Sequence, residues 1–146
     1  MTRKVTVQSS YGLRQIVAIG AHELIADEPP AAGGTDEGPD PYEYLLAALG
    51  ACTNMTLSMY ASRKGWTLRE VPTQLSHSRN YATDCKNCEQ PDAKVDRIER
   101  RIALRGDLSE EQRKRLLEIA ERCPVHRTLT SKIVIHTGLA EAGSDE

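Results

Sequence analysis

Asp40–Gly65 reads DPYEYLLAALGACTNMTLSMYASRKG, and its reading decides the fold. Asp40 is a strong N-cap, and Pro41 suits the first helical position, where no amide donor is needed. Glu43 stands at N3 and can reach back to the cap, closing a capping box. At the other end Arg63 and Lys64 complement the helix dipole. Gly65 can take the left-handed conformation that ends a helix. Between the caps the segment is apolar or small nearly all round, from Tyr44 and Leu45 through Leu49 and Ala51 to Met55, Leu57 and Met59. A helix without a wide polar face is a buried helix. One thiol, Cys52, sits at its centre.

Outward from this helix the chain alternates between strand and helix signals. Lys4–Gln8 alternates, with Val5 and Val7 on one face; Leu13–Ile19 and His22–Ala26 repeat the pattern. Three short strands in sequence predict an antiparallel meander. Pro29–Asp40, PPAAGGTDEGPD, is a loop by composition. After Gly65 strands resume. Trp66–Arg79 is one, with Pro72 at an edge or bulge. Asp96–Arg105 is another, with Ile98, Ile102 and Leu104 on one face and Arg97, Glu99, Arg101 and Arg105 on the other. Ser109-Glu110-Glu111-Gln112 forms a second capping box and starts a helix to about Arg122. Cys123-Pro124 opens a short helix, and Lys132–Thr137 reads as the last strand. Residues from about 140 to 146 form a polar tail.

The order of elements is α+β. At 146 residues one domain spanning the chain is expected, with a core large enough to fold. The central helix is apolar on too many faces for one small sheet to cover. A second copy of the chain is the expected cover, and a monomer with the helix between two sheets is the alternative. The balance of 19 basic and 21 acidic residues leaves a net charge of −2, which gives no reason to expect nucleic acid or a membrane surface as partner. The N-terminus has no apolar stretch of a secretory signal, and no apolar run is long enough to span a bilayer. The cytoplasm is the expected location. Thiols stay reduced there, so four cysteines point to catalysis, redox cycling or metal rather than to structural disulfides.

Two of these cysteines draw attention by position. If Pro124 is the first helical residue, Cys123 is the N-cap, where free backbone amides favour a thiolate. His126 and Arg127 follow within one turn. Cys52 lies mid-helix, without help from either end of the dipole, and needs a cation from elsewhere in the fold. Either thiol alone reads as readily as core packing, since cysteine is among the most buried residues.

The two motifs together, PYEYLLAALGAC and CPVHRTL in that order, with the GPDP entry loop before the first and a last strand after the second, resemble the OsmC/Ohr family. These are the osmotically inducible protein C and organic hydroperoxide resistance proteins. The resemblance spans most of the chain. It implies two antiparallel sheets around a long central helix in an intertwined homodimer, with active sites at the subunit interface. It also implies thiol-dependent reduction of organic hydroperoxides. Cys52 matches the family's peroxidatic cysteine, Cys123 its resolving cysteine and Glu43 its active-site glutamate. The family's activating arginine comes from the N-terminal strands; Arg3 and Arg14 are the arginines there, and Arg14 is the candidate. The implied cycle needs no cofactor, only an external thiol or dithiol reductant.

Geometry constrains Glu43. It stands nine residues from Cys52, which puts the two on opposite helix faces about 13 Å apart along the axis. If Glu43 serves a site containing Cys52, either the partner subunit supplies it or the helix start departs from ideal geometry; its other role is the capping box itself. Cys85-Lys86-Asn87-Cys88 departs from the two-cysteine pattern. One CxxC is half of a tetrahedral zinc site, completed by a second copy or by His77. It reads equally as a redox relay or as a reduced pair without a role. His22 and His136 read as solvated surface residues. Two functions compete with the peroxidase. One is a sulfur carrier using Cys123 alone, and the other is a module binding zinc or a small ligand.

Overall fold

The computed structural model describes residues 3–81 and 94–141. The architecture is α+β: antiparallel sheets and one long helix. Three strands, β1 (Val5–Ser9), β2 (Gln15–Ile19) and β3 (His22–Ala26), form the N-terminal meander. It pairs Val5 with Ile19 and Gln15 with Ala26. A loop with a single 3-10 turn at Pro30–Ala32 leads to α1 (Pro41–Lys64). Then come β4 (Thr67–Glu70), β5 (Thr73–Tyr81), β6 (Lys94–Ile102) and β7 (Arg105–Asp107). They pair as β4 with β7 and β5 with β6, both antiparallel. Helices α2 (Glu110–Ala120) and α3 (Pro124–Leu129) complete the described elements.

Both ends of α1 form as the local chemistry dictates. The Asp40 carboxylate accepts from the Glu43 amide at 2.8 Å, and the Glu43 carboxylate accepts from the Asp40 amide at 2.9 Å. Gly65 ends the helix at φ 71°, a conformation any other residue adopts at a cost. The loop before α1 is tied by Asp27, a buried carboxylate that accepts from the amides of Glu28 and Glu37 and from the Thr35 hydroxyl. Those donors, the Glu28 amide first, hold the carboxyl below its ordinary value. Ser109 and Gln112 close the capping box of α2.

The core lies between one face of α1 and α2. Leu57 and Leu116 are fully buried there, with Ala61, Ile119 and Ala120 beside them. Burying each leucine stabilises the fold by about 1.5–3 kcal/mol. Helix α1 also lies close on β5. A Cβ on Gly50 would stand 2.7 Å from Leu75 Cδ1, so the glycine sets the helix-to-strand spacing. Asn54 fixes the same contact, donating to the Val71 carbonyl at 2.8 Å and accepting from the Thr73 hydroxyl at 2.6 Å.

Three expectations change. The stretch Trp66–Arg79 is not one strand. It breaks at Val71–Pro72 into β4 and β5, which belong to different ladders, because proline has no amide to continue a ladder. Asp96–Arg105 likewise divides after Ile102. The last strand, Lys132–Thr137, does not form. Ile133, Val134 and Ile135 are 53, 63 and 83% exposed in an irregular segment that joins no ladder. A strand needs an edge to pair with, and no described edge of the same chain takes this one. Among the described residues no helix is long and apolar enough to cross a membrane.

Candidate active site

Helix α1 presents Cys52 at a boundary. Leu49 and Thr53 on one side of it are buried, while Ala48, Met55 and Met59 on the other are exposed. Cys52 itself is partly exposed, and Cys123 is completely buried. The short helix α3 seats Cys123 at its N-cap, where the sulfur accepts from the His126 amide at 3.3 Å. The two thiols meet side chain to side chain, both reduced.

The pair is not symmetric. Burial pushes the Cys52 thiol up, and its position as donor to Cys123 pushes it further. The Val125 amide and the Thr56 hydroxyl offset this only in part. Burial also pushes Cys123 up, but the polar groups around it outweigh this, the His126 amide first, then the Cys52 thiol, the Thr53 hydroxyl and the Val125 amide. Its net shift is downward. Within one chain Cys123 is therefore the more readily ionised of the two thiols.

Behind Cys123 lies a polar cluster that sequence reasoning missed. Arg100 on β6 donates from Nη1 to Thr53 Oγ1 at 3.0 Å and from Nη2 to His126 Nδ1 at 3.1 Å. Since Nδ1 accepts, the imidazole proton sits on Nε2, which faces the Glu121 carboxylate at 3.0 Å. Thr53 Oγ1 donates to the Leu49 carbonyl at 2.7 Å and lies 3.9 Å from Cys123 Sγ. Arg100 and His126 also line a groove of about 590 Å³, with Leu49, Ile98, Ala120 and Glu121. The signal was available. Strict alternation puts Arg100 on the same face as Ile98 and Ile102, and a lone arginine in an apolar row calls for a buried partner.

Other sequence candidates lie elsewhere within the chain. Arg14 pairs with Glu37 at 3.6 Å and donates to Ser10. Glu43 is engaged in the capping box and is solvent-exposed. Neither is hydrogen-bonded to the thiols of its own chain. Cys85 and Cys88 lie outside the described residues. His77 bonds Asp96 at 2.8 Å and stacks on Tyr42. Among the described residues no group of three or more His, Cys, Asp or Glu is placed to hold a metal.

Solved structures share this fold at low identity. An OsmC-like protein from Mycoplasma pneumoniae is 20% identical over 88% of this chain and 87% of its own, with a TM-score of 0.70. An organic hydroperoxide resistance protein OsmC from Legionella pneumophila is 16% identical, covering 89% and 90%, with a TM-score of 0.66. An organic hydroperoxide resistance protein from Elizabethkingia anophelis is 16% identical over 89% of both chains, with a TM-score of 0.67. No curated protein matches the chain. The model of the OsmC-like protein family matches residues 34–138, from the loop before α1 to beyond α3. With both cysteine motifs inside that span, the chain belongs to the OsmC-like family.

Proposed function

We propose that this chain is a thiol-dependent peroxidase for organic hydroperoxides, with Cys52 attacking and Cys123 resolving. The observation that carries the reading is the contact between a partly exposed Cys52 and a buried Cys123, both reduced. In the first step the Cys52 sulfur attacks the distal oxygen of ROOH. The O–O bond breaks, ROH leaves after taking a proton, and Cys52 becomes a sulfenic acid. Cys123 then attacks that sulfur, and the hydroxyl leaves as water once protonated. Two external thiols reduce the disulfide and become a disulfide themselves. The apolar residues beside Cys52, Ala48, Met55 and Met59, favour an alkyl hydroperoxide over hydrogen peroxide.

The active unit in this proposal is a homodimer. Leu45, Met55 and Met59 are 37, 65 and 62% exposed on α1, and Val5 and Val7 of the meander are each 57% exposed. A second copy covers these surfaces and gives the Ile133–Ile135 segment an edge to pair with. It also supplies what Cys52 lacks in one chain, a cation to make it a thiolate. The partner's Arg14, with Glu43, is the assignment offered by the family resemblance. A sulfur carrier is the weaker reading, because a carrier thiol must meet two partners and Cys123 has no exposed surface. The reducing cytoplasm suits the cycle, which uses no cofactor. Zinc at Cys85 and Cys88 is tested separately, by metal analysis of the purified chain.

The test is one equivalent of alkyl hydroperoxide, in parallel with hydrogen peroxide, on fully reduced protein, with the products mapped by peptide mass spectrometry. A fast, organic-selective loss of two hydrogens with a Cys52–Cys123 link is expected. No reaction, or oxidation confined to Cys85 and Cys88, would overturn the proposal.

A further inference from the structure

Arg100 is placed at a cost. Its side chain is only 11% exposed, in a row with Ile98 and Ile102, and a guanidinium in such a site needs partners that repay its desolvation. Those partners are uncharged where they approach Cys123. Nη1 meets the Thr53 hydroxyl and Nη2 the unprotonated Nδ1 of His126. The nearby carboxylate, Glu121, lies 3.8 Å from Nη2 and is itself 64% exposed, so solvent screens it. The positive charge is thus left largely unneutralised on the side facing Thr53 and His126.

We infer that Arg100 is a positioning residue for Cys123, acting through Thr53 and His126 to hold the resolving sulfur as a thiolate aimed at Cys52. This rests on the reading of Cys123 as the resolving thiol and adds a residue to that site. Two links connect Arg100 to the sulfur. Through the first, it donates to Thr53 Oγ1 and so polarises a hydroxyl that has one proton and two acceptors, the Leu49 carbonyl and the Cys123 sulfur. Through the second, it fixes the His126 ring in one tautomer and orientation, on the residue whose amide donates to Cys123 Sγ. The charged and titratable groups linked to Cys123 by these contacts are Cys52 on α1, Arg100 on β6, Glu121 after α2 and His126 on α3, and Arg122 and Arg127 flank it in sequence. Arg100 is the arginine bonded to both Thr53 and His126. A cation bonded to a hydroxyl that lies 3.9 Å from a thiol sulfur favours the charged form of that thiol.

Full-length protein carrying Cys52→Ser, Cys85→Ser and Cys88→Ser leaves Cys123 as the sole thiol, and the ultraviolet absorbance of its thiolate reports ionisation without any peroxide. Arg100→Met in this background is expected to raise the midpoint by about one pH unit, leaving about tenfold less thiolate at neutral pH. Arg100→Lys keeps the charge without the fork and should fall between. Thr53→Val removes the bridging hydroxyl and should also raise the midpoint. Unchanged midpoints in Arg100→Met and Thr53→Val overturn the inference; if Arg100→Met does not fold, unchanged midpoints in Thr53→Val and Arg100→Lys do so.

With all four cysteines restored, Arg100→Met is expected to close the disulfide about tenfold more slowly at pH 7 after one equivalent of alkyl hydroperoxide. The deficit should vanish as pH rises past the raised midpoint. A slowing that is equal at every pH is the mark of a structural role and overturns the inference. Wild-type protein that does not react with the hydroperoxide overturns the peroxidase reading instead, and leaves the ionisation result standing.

Discussion

The two sides of α1 are finished to different degrees. Toward α2 and α3 the same chain encloses the centre of the packing: Leu57 and Leu116 are fully buried, and Thr53 is fully buried and hydrogen-bonded. On the opposite side Met55 and Met59 stand in solvent; elsewhere the meander leaves Val5 and Val7 open, and Ile133–Ile135 has no partner strand among the described residues. One side is a core; the other has the composition of a core without the contacts. Cys52 sits on the seam. The contrast separates what one chain does alone, which is to place two thiols together, from what the proposed second copy would complete.

That division is open to direct attack. The largest expected effect is chemical: Cys52→Ser abolishes hydroperoxide turnover, while Cys123→Ser allows one turnover and leaves a Cys52 sulfenic acid that over-oxidises, seen by intact mass. Next is the finished side. Leu116→Ala should cost about 2–5 kcal/mol in urea unfolding, because a close-packed site cannot collapse around the void. A loss near that of an exposed substitution would mean the core is looser than described.

The unfinished side should respond differently. Met55→Glu is expected to halve the mass measured by light scattering while barely altering the helix content of the chain. If Met59→Ala costs less than about 0.5 kcal/mol at every protein concentration, this face is simple surface. A cost that grows with dilution places it in the dimer. The smallest effect concerns the loop before α1. The Asp27 carboxyl is held below its ordinary value, so its ionised form stabilises the loop above the ordinary carboxylate range, and that contribution is lost as pH falls through the lowered value. Hydrogen-exchange protection in residues 34–37, after correction for the intrinsic rate, should fall in acid, and Asp27→Asn should remove the dependence.

What the sequence made legible follows the range of the interactions involved. Both ends of α1 could be read because a capping box and a C-terminal glycine are decided within a few residues. The pairing of Cys52 with Cys123 came from two motifs in order, not from geometry. The strand over Lys132–Thr137 was misread because alternation shows what a segment can pair with, not whether an edge is within reach. Arg100 was overlooked for a different reason. It breaks the apolar row of β6, and its partners, Thr53 and His126, are 47 and 26 residues away. Arg14 was chosen on family likeness; its own chain gives it Glu37.

The close seat of α1 on β5 also determines which thiol moves. Around Cys52, Gly50 abuts Leu75, Asn54 is bonded to both Val71 and Thr73, and Thr53 is bonded to Arg100. One turn of helix is thereby clamped to two strands. Cys123 is carried by a helix of six residues whose C-terminal continuation is exposed. If a disulfide draws the two sulfurs together, the Cys52 turn is the more firmly held of the two carriers, and α3 is the one whose continuation lies exposed.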